Sequence, residues 1–267
     1  MAVDSLQQIL ADLDYVEYAA LGVIGVVGGI LSGLVGVGGG IVFVPGLVYA
    51  AGWEIQEAVA ASLVIIVFSS LSGTIRNAKS DDPVDWRTAG ILSLTVAPSS
   101  LIGVAISRVS PETVVQISFA VLLIALAYPT AKGRGDLNPG KRVALPLVFL
   151  AGIFIGALSG LVGVGGGVMM VPLMVLGMGL GTKRAVSTSL AVVMTTGIIG
   201  AAGYIATGFR DPEQLLSLPP LIVGSMIGAP LGVRLRDWMP EAKLRAGFGV
   251  FMVIVALRLF SEAFGLF

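Results

Sequence analysis

The sequence predicts an all-helical integral membrane protein made of two inverted repeats, each a broken-helix hairpin followed by three transmembrane helices. Three observations carry that reading: composition, charge-free runs of crossing length, and an internal duplication. The 267 residues are 56% hydrophobic and only 12% charged. A soluble domain carries about twice that share of charge. Water would leave much of this apolar surface unpaired, so lipid is the solvent that fits.

The formal net charge is zero and no basic block marks a nucleic-acid partner. There is no Cys and no His. That excludes disulfides, thiolate chemistry, imidazole metal ligands and Ser-His or Cys-His catalysis. No cofactor or metal is expected. An intramembrane enzyme also lacks a base, because no Lys or carboxylate lies deep enough in a span to activate Ser32 or Ser62.

The elements follow in order. Residues 1–17 carry Asp4, Asp12, Asp14 and Glu17 but no Lys or Arg. A secretory signal starts positive, so this segment is expected to be retained on the outer surface. A crossing helix needs about 20 apolar residues. Runs of that kind are Tyr18–Val35, Ala58–Thr74, Thr88–Ser107, Thr113–Ala131, Val143–Val162, Val186–Thr207 and Leu215–Val233. A last run, Leu244–Phe260, holds Arg245 and Arg258 near its ends, where they can snorkel. Two shorter runs, Ile41–Ala51 and Val168–Gly181, follow glycine clusters and read as half-helices. Trp53, Trp86 and Trp238 fall between runs, as interfacial Trp does.

The duplication is direct. Leu31–Gly40 and Leu158–Gly167 both read LSGLVGVGGG, at an offset of 127, and the match continues to Pro45 and Pro172. At the same offset AVAASL, from Ala58, matches AVSTSL, from Ala185. The first repeat is placed at 18–131, a cytoplasmic linker at 132–142, and the second repeat at 143–264.

Charge sets the handedness of the repeat. If each glycine motif is a hairpin that returns the chain to its starting side, 13 of the 16 Lys and Arg fall in inside segments. Only Arg108, Arg210 and Arg258 stay outside. If each motif is instead a continuous crossing, the split is 7 to 9 and the bias vanishes. The hairpin version gives each repeat an odd number of crossings. The second repeat is then upside down relative to the first, and both termini lie outside. Inverted repeats with broken helices are the architecture of secondary transporters, whose site lies near the midplane.

The glycine motifs are the candidate site. Gly36, Gly38, Gly39 and Gly40, with Gly163, Gly165, Gly166 and Gly167, leave room for a ligand or another backbone. Half-helix N-termini follow them, and such ends attract anions. Nearby hydroxyls donate without fixed charge. Ser32, Ser159, Ser62 and Ser189 are therefore assigned to the substrate, with Ser69, Ser70, Thr195 and Thr196 in the same spans. Pro45 and Pro172 set half-helix geometry. Gly29, Gly33, Gly156 and Gly160 form small-xxx-small pairs that pack helices closely. The expected partners are a small anion and the bilayer. A coupling ion, proton or sodium, is left open. An anion channel or facilitative uniporter with the same midplane site stands as the alternative.

The paired GLVGVGGG…P segments, each followed by AVxxSL, and the VDW at Val84–Trp86 resemble the sulfite exporter TauE/SafE family of membrane transporters. The resemblance covers nearly the whole chain, Tyr18 to Phe264. It implies a multi-pass protein of a prokaryotic cell membrane that moves, as an exporter, sulfur-containing or organic anions such as sulfite or sulfonates. Thr188 fits that family's AVxTSL pattern, while Ala61 departs from it.

Overall fold

A computed structural model describes residues 15–80, 82–132, 144–207, 212–238 and 240–265. The surface segment 1–17 lies outside them except for its last three residues, and the linker 132–142 except for its first. The described residues contain helices and no strand. In lipid, backbone groups must be satisfied within the segment itself, and helices do this.

The first half comprises α1 (Tyr15–Val35), α2 (Gly40–Ala51), α3 (Ile55–Asn77), α4 (Trp86–Val109) and α5 (Glu112–Lys132). The second comprises α6 (Leu145–Val162), α7 (Gly167–Pro172), α8 (Thr182–Ala206), α9 (Pro212–Trp238) and α10 (Glu241–Ala263). Helices α1, α3, α4, α6, α8 and α9 are long and apolar enough to cross a bilayer. Their outward faces carry exposed Val23, Leu94, Leu150, Phe154, Ile198 and Val223, a surface suited to lipid.

A short helix follows each glycine cluster, as expected, with one difference. Helix α2 folds back along α1: Gly28 abuts the Phe43 ring and Gly46 abuts Ile24. Its 12 residues rise about 18 Å, too short to cross. The second half-helix is not a continuous run from Val168 to Gly181. It stops at Pro172 after six residues and widens into a π-helical turn, Leu173–Gly177. Proline lacks the N–H that would continue the ladder. In α2 the helix runs on past Pro45.

Several helices extend beyond the charge-free runs. Helix α9 continues to Trp238, so Arg234 and Arg236 sit on its last turns rather than in a loop. Helix α8 opens at Thr182, which brings Lys183 and Arg184 into its first turn. A run cut at the first charge stops short, because long cationic stems lie along apolar surface.

Packing is backbone on backbone. Helices α1 and α9 run parallel through two interleaved glycine rows. Gly25, Gly29 and Gly33 face Leu221, Ser225 and Ala229, and Gly224, Gly228 and Gly232 face Gly22, Val26 and Ile30. Helices α6 and α4 run parallel in the same manner, with Gly152, Gly156 and Gly160 against Thr95, Val96 and Ser100. The small-xxx-small expectation for Gly29, Gly33, Gly156 and Gly160 is thus met. Helices α3 and α8 cross antiparallel: Gly73 abuts Leu190, and Gly200 abuts Leu63. Those two contacts exchange when 127 is added to or subtracted from each number. Outside this centre α5 packs on α10.

Cationic residues gather at one end. Arg184 pairs with Asp85 at 3.7 Å, and Arg236 donates to Asn77 at 3.1 Å. Asp85 also caps α4, accepting from the Thr88 N–H at 3.1 Å. At the end of α2, Arg258 of α10 lies 3.8 Å over the Tyr49 ring.

Gly29→Leu or Gly228→Leu forces a side chain into Ser225 or Val26 backbone. We expect each to cost about 3 kcal/mol or more, read as a lower Tm and loss of the monodisperse peak in detergent. Gly90→Leu, whose Cβ meets nothing within 4 Å, should leave both unchanged.

Candidate functional site

The two glycine turns meet at the centre of the molecule. Each follows a long helix whose end is closed by a backbone bond: Gly36 N–H donates to Ser32 O at 2.8 Å, and Gly163 N–H to Ser159 O at 2.9 Å. Gly36, Gly38 and Gly39 hold φ of 77°, 83° and 89°, and Gly163, Gly165 and Gly166 hold 74°, 77° and 74°. These left-handed values require glycine. Gly40 and Gly167 open α2 and α7, and a Cβ on either would strike the opposite turn, at Gly163 and at Gly36 respectively.

Two serines clamp this contact. The Ser62 hydroxyl donates to Gly163 O at 2.7 Å, and the Ser189 hydroxyl to Gly36 O at 2.7 Å. Each also lies within bonding reach of a carbonyl in its own helix, Val59 O and Val186 O. Their protons are thus committed to holding the turns in this conformation. Ser32 and Ser159 differ. Both are buried, and neither hydroxyl has a partner, not even in its own helix. Of the four serines assigned to the substrate from sequence, this pair has its donors free, as do Ser69 and Ser70 in α3. Thr195 and Thr196 bond back to Val192 O at 2.8 Å, and Thr195 Oγ1 lies within bonding reach of Ser93 Oγ at 2.9 Å. Thr188 lies away from the turns, accepting from the Asp85 N–H at 3.0 Å.

Two side chains at the centre escaped the sequence argument. Ile66 and Val193, both fully buried, fill the space between Gly38 and Gly165. They are again 127 apart and lie one turn beyond Ser62 and Ser189 on the same helices. That shared offset and face is the signal by which they were detectable. Ser70 approaches too, with its Oγ 3.5 Å from the Cβ position of Gly38.

Pro45 lies inside α2 and Pro172 closes α7. The π-helical turn Leu173–Gly177 follows α7 directly.

Ser62→Ala and Ser189→Ala each leave a buried carbonyl without its cross-turn donor. Each should lower stability by about 1–3 kcal/mol, measured by thermal unfolding in detergent. Ser32→Ala, which removes a hydroxyl that has no partner, should be neutral or stabilising.

The sulfite exporter TauE/SafE profile matches residues 21–259. A Bacillus subtilis protein named "Probable membrane transporter protein YunE" is 27% identical, covering 92% of this chain and 98% of its own. A Haemophilus influenzae protein named "Probable membrane transporter protein" is 30% identical, covering 90% and 96%. A similarly named protein of Methanocaldococcus jannaschii is 28% identical, covering 88% and 94%. No solved structure matches. With a match across nearly every helix described above, the chain belongs to the sulfite exporter TauE/SafE family, a family of multi-pass membrane transporters.

Proposed function

We propose that the protein is a secondary transporter of the cell membrane that exports small sulfur-containing or organic anions, such as sulfite or sulfonates, by alternating access. Its two halves are inverted, with the cation-rich end inside and both termini outside. The observation that carries this reading is the antiparallel crossing of α3 and α8, with its exchanged contacts Gly73–Leu190 and Gly200–Leu63. Equivalent crossing helices that run antiparallel are related by an axis perpendicular to them, hence in the membrane plane. That is the symmetry of inverted-repeat carriers. The charge count supports the same orientation independently. The sulfur anion comes from the family's name.

The site proposed is the pair of glycine turns with Ser32 and Ser159. Their unused hydroxyls and the N–H groups opening α2 offer donors and no fixed charge. A neutral donor set suits release as well as binding. Ile66 and Val193 between the turns favour a carrier over a permanently open channel, since an aliphatic pair at the centre blocks continuous water. The membrane potential suffices to drive anion export, at about 2.3 kcal/mol per charge per 100 mV. A proton or sodium ion would be needed only for accumulation beyond that.

Counterflow of labelled sulfite, sulfate and methanesulfonate in proteoliposomes tests the proposal. Saturable exchange of at least one anion, following voltage, is expected. Ser32→Ala combined with Ser159→Ala should lower kcat/KM by about 5- to 100-fold, the worth of two neutral hydrogen bonds. Replacement of Gly39 is a poorer probe, because a side chain there meets Gly28 O and Phe43 and tests the hairpin instead. Linear, non-saturating flux would favour a channel, and no flux of any of these anions would end the anion reading.

A further inference from the structure

One face of α3, running from the glycine turns to the cation-rich end, carries polar groups that the fold leaves unused. Ser70, Thr74 and Asn77 recur at i, i+4 and i+7 and so share a face. All three are buried, and Ser70 Oγ, Thr74 Oγ1 and Asn77 Nδ2 have no hydrogen-bond partner. Helical Ser and Thr usually bond back to a carbonyl three or four residues earlier, as Ser62, Thr195 and Thr196 do here. Ser70 and Thr74 do not. Ser70 reaches the Gly38 turn. Asn77, about 10 Å further along the axis, accepts from Arg236 Nη2 at 3.1 Å.

Arg236 is the second half of the observation. Its side chain is 5% exposed. Its Nη1 reaches Ser187 Oγ at 3.5 Å, and its Nε has no partner. Among the described residues the carboxylate paired with it is that of Asp237, 3.4 Å away and 39% exposed, too solvated to neutralise a buried guanidinium. The unused atoms, Arg236 Nε and Asn77 Nδ2, are both donors, and one of them belongs to a cation.

We infer that Arg236 and Asn77 form a receiving site for a small oxyanion at the cation-rich end, and that Thr74 and Ser70 lead the anion from it to the glycine turns. The purpose of the site rests on the transporter reading, while its binding chemistry does not. A guanidinium with an adjacent amide suits an oxyanion, whose several oxygens take charge-assisted bonds. A purely structural tie between α3, α8 and α9 accounts for Nη1 and Nη2 but not for the idle donors. It also does not account for the polar face leading inward. The repeat itself does not require that face: the positions equivalent to Ser70, Thr74 and Asn77 are Gly197, Ala201 and Tyr204. There the Tyr204 hydroxyl is already spent on Gly160 O at 3.2 Å. The track belongs to one half and points to one end.

The test uses the full chain in nanodiscs, titrated with sodium sulfite and sodium sulfate against sodium chloride at fixed ionic strength, and reads the anion-dependent rise in Tm. Asn77→Asp keeps an acceptor for Arg236, so the helix tie survives, but it neutralises the guanidinium. Arg236→Gln removes the charge, and Arg234→Gln, an exposed cation on the same helix, is the control. We expect saturable stabilisation of the wild type. The half-saturating concentration should rise at least tenfold in Asn77→Asp and Arg236→Gln and stay unchanged in Arg234→Gln, with Asn77→Asp no less stable than wild type without anion. The same variants in proteoliposomes should raise KM for sulfite more than they lower kcat. Wild-type-like binding by Asn77→Asp, or no saturable stabilisation of the wild type by either anion, overturns the inference even if transport is intact. Absent flux with normal binding instead overturns the transporter reading and leaves the site standing.

Discussion

Breaking a helix inside a membrane leaves backbone groups where no water is present to satisfy them, and the whole centre of this protein answers that constraint. The breaks at Gly36–Gly39 and Gly163–Gly166 are placed face to face, so each turn covers the other. The hydroxyls of Ser62 and Ser189 reach across to the carbonyls of Gly163 and Gly36. Such close approach is open only to residues without a Cβ, which is why Gly40 and Gly167 complete the triplets. From that contact follow the crossing of α3 and α8, which carry the two serines, and the flanking pairs α1 with α9 and α4 with α6. Those pairs use the same device, glycine against backbone, along their whole length.

The arrangement fits two requirements of the carrier proposed above. The turns are rigidly specified by left-handed glycines and by the reciprocal serine hydrogen bonds that tie each to the other half. Ile66 and Val193 occlude the middle without a charge or a salt bridge to break. Fixed charge is confined to the ends. Arg236 is the exception in being buried, and it lies in the last turn of α9, where the C-terminal dipole favours a cation.

Much of this was legible in the residues. The ten-residue identity at an offset of 127, the glycine triplets and the bias of Lys and Arg pointed to the hairpins, and the spans followed from charge-free length. The finer features depend on what touches what. Ser62 and Ser189 were marked as ligand residues because the repeat keeps them, but conservation between halves fits a clamp on the opposite turn equally well. Thr188, which fits the family's AVxTSL pattern, lies against Asp85 and away from the turns. The burial of Arg236 was invisible, since a charge-free criterion ends a span at the first cation. The stop at Pro172 could not be told from the continuation at Pro45, because both prolines occupy the same position in near-identical motifs.

The central claim is that the two halves are inverted. The chain has no native cysteine, so single cysteines report position cleanly. Ser80→Cys and Thr207→Cys stand at equivalent places, 127 apart, just beyond the ends of α3 and α8. Labelling with a membrane-impermeant maleimide on intact cells and on inverted vesicles is the most direct test. The account predicts that Thr207→Cys reacts from outside and Ser80→Cys only from inside. Reaction of both from the same side would contradict it.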